Sequence, residues 1–100
     1  MAVNVELRGE RFGEVVDRAG DDGLIERLAA DAGDSSVCLR WIDPYGDTIF
    51  NRHQSVGLAS ELEEARAKIV GGEMDSLERL ISLVRACADG VHLYVWCIGD

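Results

Sequence analysis

Lysine and proline each occur once in the 100 residues, and Trp, Tyr and Phe only twice each. The single lysine excludes most. Backbone-directed nucleic-acid binding needs clustered cations that displace counterions; here the arginines are scattered among 19 acids, so no nucleic-acid partner is expected. No apolar run approaches the ~20 residues of a membrane span. Residues 1–8 alternate polar and apolar side chains and lack the basic start and apolar core of a signal peptide. A cytoplasmic protein without membrane contact is the expectation. Cys38, Cys87 and Cys97 are odd in number and not closely paired, which fits reduced, buried thiols better than a disulfide framework. Also missing are a phosphate loop, a dinucleotide fingerprint, a Gly-x-Ser-x-Gly elbow, a His-Glu-x-x-His helix and a zinc-type Cys/His pair. No cofactor and no metal is expected.

What is present is a globular composition. Hydrophobic residues make up 47%, too many for a disordered chain, and a chain of this length hides roughly two-thirds of its unfolded surface in one core. Residues 1–100 therefore read as one domain. The net charge of −9 keeps small domains apart in solution and, read functionally, suits a neutral or basic partner.

The order of elements follows from periodicity. Val3, Val5 and Leu7 alternate with Asn4 and Glu6, as in a half-buried strand, and residues 12–17 can return as the second arm of a hairpin. Leu24, Ile25, Leu28, Ala29 and Ala32 recur at helical spacing, with Gly33 as the stop. Residues 36–42 alternate as a strand, with Val37, Leu39 and Trp41 on one face. A helix over 56–70 carries the stripe Leu58, Leu62, Ala65 and Ile69, with Ser60 and Glu63 spaced as a capping box. Gly71-Gly72 ends it, and a third helix follows with Met74, Leu77, Leu80, Ile81, Val84 and Ala88 facing the second. Residues 91–98 form a strand apolar on both faces, Trp96 among them, and the chain end at Gly99-Asp100 is tethered to it. The expected fold is α+β: a single-domain sandwich of about four strands in a mixed or antiparallel sheet with three amphipathic helices, in the order ββαβααβ.

Chemistry-bearing residues concentrate in 42–54, where Asp43-Pro44-Tyr45-Gly46-Asp47 is a strong turn signal. Tyr45, Asp47, Arg52 and His53 could form a general-base and anion-binding set, with Asn51 beside them. The competing reading is a hydrogen-bonded loop whose polar groups satisfy backbone. Glu61 and Glu64 border an apolar helix stripe. They are a solvated face, or, with Asp75 and Glu78, an acidic surface that speeds association with a basic partner. Trp41 and Trp96 read as core, or as an exposed aromatic patch where binding energy concentrates.

The segment Ile42-Asp43-Pro44-Tyr45-Gly46-Asp47-Thr48-Ile49-Phe50-Asn51-Arg52, with the terminal Leu93-Tyr94 and Gly99-Asp100, resembles small uncharacterised bacterial proteins without an assigned activity. The resemblance implies a bacterial origin and transfers no catalytic residue. One physical account fits the segment: Asp47 and Thr48 hydrogen-bond backbone to start a helix-like turn, while Ile49 and Phe50 anchor it in the core. The leading functional expectation is a non-enzymatic interaction module, immunity- or antitoxin-like, whose acidic surface meets a basic protein, with Tyr45, Asp47, Asn51, Arg52, His53, Glu61 and Glu64 as the candidate binding residues. The alternatives are a small hydrolase or ligand-binding domain sited at 43–54, and a self-associating subunit that buries Trp96 or Tyr94 between chains.

Overall fold

Four short strands and three helices alternate along the chain in the computed structural model, which describes residues 3–11, 13–20 and 22–99. They are β1 (Asn4–Gly9), β2 (Val15–Ala19), α1 (Leu24–Asp31), β3 (Asp47–Phe50), α2 (Arg52–Glu64), α3 (Met74–Asp89) and β4 (Leu93–Ile98), with 3-10 turns at Leu39–Trp41 and Ala65–Lys68. The expected order ββαβααβ holds. The sheet runs β2-β1-β4-β3 and every pair is antiparallel. The first and last strands are thus its centre, and the cross-chain β1–β4 pairing ties both ends of the fold together.

Alternation divides the sheet into two faces. Val5, Leu7, Phe50, Val95 and Cys97 are buried and join one core with Leu24, Ile25 and Leu28 of α1, Leu58 and Leu62 of α2, and Leu77, Leu80, Ile81 and Val84 of α3. The helices therefore layer one face. Most of the helical stripe residues read from sequence are buried; Ala29, Ala32 and Ile69 pack only at the margin, and Met74, expected in the third stripe, is 42% exposed at the start of α3. Between α2 and α3 the buried Ser55 hydroxyl donates to the Asn51 carbonyl (2.8 Å) and lies 3.2 Å from Cys87 Sγ, so the helix–helix seam carries no unsatisfied polar side chain among the described residues.

Several boundaries differ from expectation, each for a local reason. Residues 36–42 are not a strand but a bend into the 3-10 turn Leu39–Trp41, and the third strand is Asp47–Phe50, beyond the proline turn. The Glu61 carboxylate holds the bend. It accepts from the Ser36 hydroxyl, from Val37 N–H (3.1 Å) and from Leu39 N–H (3.2 Å), giving those donors a partner that a sheet would otherwise supply. Trp41 is consequently 65% exposed rather than core. The second helix starts at Arg52, not 56, because Asn51 caps it: its side chain accepts from Gln54 N–H (2.8 Å), and the Gln54 side chain accepts from Asn51 N–H (2.9 Å). Ser60 and Glu63 lie inside this helix and form no capping box. β4 begins at Leu93 because His92 takes a left-handed φ of 61°, a conformation that ends a strand. The hairpin's second arm is Val15–Ala19, and the part of that expectation resting on Phe12 lies outside the described residues, as does the Asp100 end of the C-terminal tether.

Candidate functional site

The 43–54 segment is built almost wholly from its own hydrogen bonds. Asp43 Oδ1 accepts from Tyr45 N–H (2.8 Å), the Asx turn that asparagine and aspartate favour, and Asp43 N–H donates to Thr48 Oγ1 (2.9 Å). The Gly99 N–H donates to the Gly46 carbonyl (2.8 Å). A Cβ on Gly99 would lie 2.5 Å from the Pro44 carbonyl carbon and oxygen, so only glycine lets the loop rest there. Because β3 pairs with β4 from Asp47–Ile98 to Phe50–Val95, the two parts of the resembling pattern, central segment and chain end, are neighbours in space. The bonding residue is Asp43 and not Asp47. Thr48 bonds as expected, Phe50 is buried, and Ile49 is 44% exposed rather than anchored.

The sequence candidates separate accordingly. Asn51 caps α2 and Glu61 clamps the 36–39 bend. Tyr45, Asp47, Arg52, His53 and Glu64 are exposed. The described surface includes several clefts. One of 660 Å³ lies between β1, β2 and the start of α3, lined by Glu6, Arg18, Asp22 and Arg79; others of 160 and 400 Å³ lie beside Glu61 and beside Arg66. Tyr45, Asp47, Arg52 and His53 line none of these three. No cluster of His, Cys, Asp and Glu suited to a metal ion occurs among the described residues. No helix is long and apolar enough to cross a membrane.

The thiols are buried and pushed away from reactivity. Burial raises the Cys38 thiol, with the Glu61 carboxylate adding to the effect; burial also raises Cys87, and it carries Cys97 up to about 12. None is presented as a thiolate nucleophile. Asp22 is held below its ordinary value chiefly by a hydrogen bond from Ser76, aided by the Leu24 N–H at the start of α1.

Two features remain that structural needs do not absorb. First, the sheet face opposite the helices carries Tyr94, Trp96 and Ile98 of β4 with Ile49 of β3, directly beside one another in register, and these side chains are only partly buried. Arg8 of β1 lies over the Trp96 ring at 4.4 Å and is held by Glu6, which also meets Arg18 at 3.4 Å. Of the two readings the sequence allowed for Trp96, core or exposed aromatic patch with Tyr94, the partly exposed face corresponds to the second; an apolar alternate face on a strand does not separate them until the layer count is known. Second, most of the positive charge is consumed internally. Arg8, Arg18, Arg27, Arg66, Arg79 and Arg85 all pair with carboxylates of the same chain, whereas Glu14, Asp34, Asp47, Glu64, Asp75 and Asp89 have no ion-pair partner among the described residues. Of the acidic helix faces, Glu63 and Glu78 are neutralised by Arg85 and Arg66, leaving Glu64 and Asp75.

No family model, curated protein or solved structure matches the chain.

Proposed function

We propose that the chain is a non-enzymatic interaction module that masks a basic protein, in the manner of an immunity protein or antitoxin, and that it works in a bacterial cytoplasm as the resemblance of the central segment suggests. The observation that carries the reading is the uncovered sheet face. Tyr94, Trp96, Ile98 and Ile49 form an aromatic and aliphatic strip, the type of surface where a few residues dominate binding energy. Asp47 borders it on the same face without an ion-pair partner, and the wider surface holds surplus carboxylate. A basic partner gains on approach from the long-range field and, once docked, from the apolar strip.

The test is affinity capture from the native organism at low and high salt, using the wild type and Tyr94→Ala side by side. A single basic protein at near-equal amount, released by salt and lost with Tyr94→Ala while the variant keeps its thermal midpoint, is the expected result. An empty lane, or a partner indifferent to Tyr94→Ala, overturns the reading.

A further inference from the structure

The two edges of the sheet are treated differently. On the β2 edge, Arg79 of α3 donates to the Arg18 carbonyl (2.8 Å) and to Asp17 (2.9 Å), strapping that strand to the helix layer. On the β3 edge, no backbone–backbone hydrogen bond from another described segment reaches Asp47–Phe50 apart from its ladder with β4, and the Asp43 N–H engages only the Thr48 hydroxyl. An edge with free N–H and C=O groups is a template for a further strand, and added strands are a recurring mode of recognition. From this edge we infer that β3 pairs antiparallel with β3 of a second copy, about a two-fold axis, to give a continuous eight-stranded sheet.

The choice of a second copy rests on the charges at the two ends of the edge. Asp47 opens β3 and Arg52 follows its end, and neither has an ion-pair partner among the described residues. Opposing residues in an antiparallel pair must point to the same face. Ile49 and Asp47 point to the uncovered face, so Ile49 opposite Ile49 of the second copy is an allowed register. It sets Asp47 beside Asn51 and Arg52 of that copy, and the reciprocal pair forms by symmetry. It also extends the strip from Trp96 and Ile49 across the axis to the same two residues of the other chain. The unpaired charges disfavour a strand of arbitrary sequence and favour one carrying them in reverse order, which another copy does. This interface shares Ile49 and Asp47 with the margin of the strip proposed above but pairs through the strand edge, and because it is tested on the purified protein alone its failure is distinguishable from failure of that reading.

Sedimentation velocity from micromolar to millimolar concentration, with Asp47→Arg, Arg52→Asp and the double variant, decides it. Each single variant is expected to weaken the dimer by about tenfold or more, since like charges then meet across the axis, and the double variant to restore it. The Gly99 N–H to Gly46 carbonyl bond sets Thr48 and Phe50 to bond inward to β4, so the outward amides of Asp47 and Ile49 are the ones that should gain hydrogen-exchange protection as concentration rises. A monomer throughout the range overturns the inference. So does a dimer that none of the three variants alters, because the contact would then lie elsewhere. Thermal midpoints near wild type show that the variants are folded; Arg52→Asp places an acid in the first turn of α2, which the helix dipole favours.

Discussion

Glu61 and Glu64 are three positions apart on one helix, yet their substitution should have opposite consequences. Glu61 satisfies the Ser36 hydroxyl and two backbone N–H groups of a bend that has no ladder, and bonds to a charged acceptor are the stronger kind. Glu61→Ala is expected to cost on the order of 2 kcal/mol in urea unfolding; Glu64→Ala, at an exposed side chain without a partner, should stay within about 0.5 kcal/mol of wild type. Cys97 makes a pH prediction at the same scale. Its thiol is fully buried and titrates near 12 in the fold, against an ordinary 9.0. The folded chain therefore keeps a proton that the unfolded chain loses, so this contribution is intact below pH 9 and is lost as pH rises from 9 towards 12, on the order of 4 kcal/mol in all. Urea midpoints measured across that range should fall less steeply for Cys97→Ala than for the wild type. The same burial means that native thiols should react with an aromatic disulfide far more slowly than thiols unfolded in urea.

At the scale of elements, the helices were legible and the middle of the chain was not. The stripes on α2 and α3 need only one buried face, and period 3.6 reports that directly. Residues 36–42 alternate as well as many strands do, but their backbone donors found Glu61, and Cys38, Leu39 and Ile42 are buried at turn spacing instead. That exchange is invisible locally because Glu61 lies more than twenty residues on. β3 is only four residues long, too short for period 2 to stand out beside Pro44 and Gly46. The cap of α2, by contrast, was written in the chain as Asn51-x-x-Gln54, and reading Ser60 and Glu63 as the box hid it. The candidate residues suffered from the same shortness of range: Asn51 and Glu61 are polar for structural reasons, while the uncovered strip depends on which sheet face the helices choose. Asn51→Ala should cost about 1 kcal/mol, against little for Asp47→Ala in the monomer. Gly99→Ala should be more damaging, on the order of 1–3 kcal/mol, because its Cβ meets the Pro44 backbone and the loop cannot yield as a flexible side chain would. Both follow from urea midpoints.

The whole molecule carries −9 within principal extents of 37 × 27 × 26 Å, and its arginines largely face acids of the same chain. Two effects of salt then oppose each other. Screening weakens the internal pairs, most of which join exposed side chains and are worth about 0–1 kcal/mol each. Screening also relieves repulsion among the surplus carboxylates, which acts on every one of them at once and reaches about 10 Å at 0.1 M salt. Because the pairs are short-ranged and the surplus is spread over the surface, relief of repulsion should win. The thermal midpoint is expected to rise between low salt and roughly 0.5 M sodium chloride, by several degrees for each 1 kcal/mol gained in a domain of this size. Neutralising Asp34→Asn and Asp89→Asn together, at two exposed side chains without ion-pair partners, should raise the low-salt midpoint and flatten its dependence on salt. A midpoint that falls with salt in the wild type would mean that the internal pairs outweigh the surplus. The unneutralised carboxylate would then have too weak a field to steer a basic partner, and recognition would rest on the aromatic strip alone.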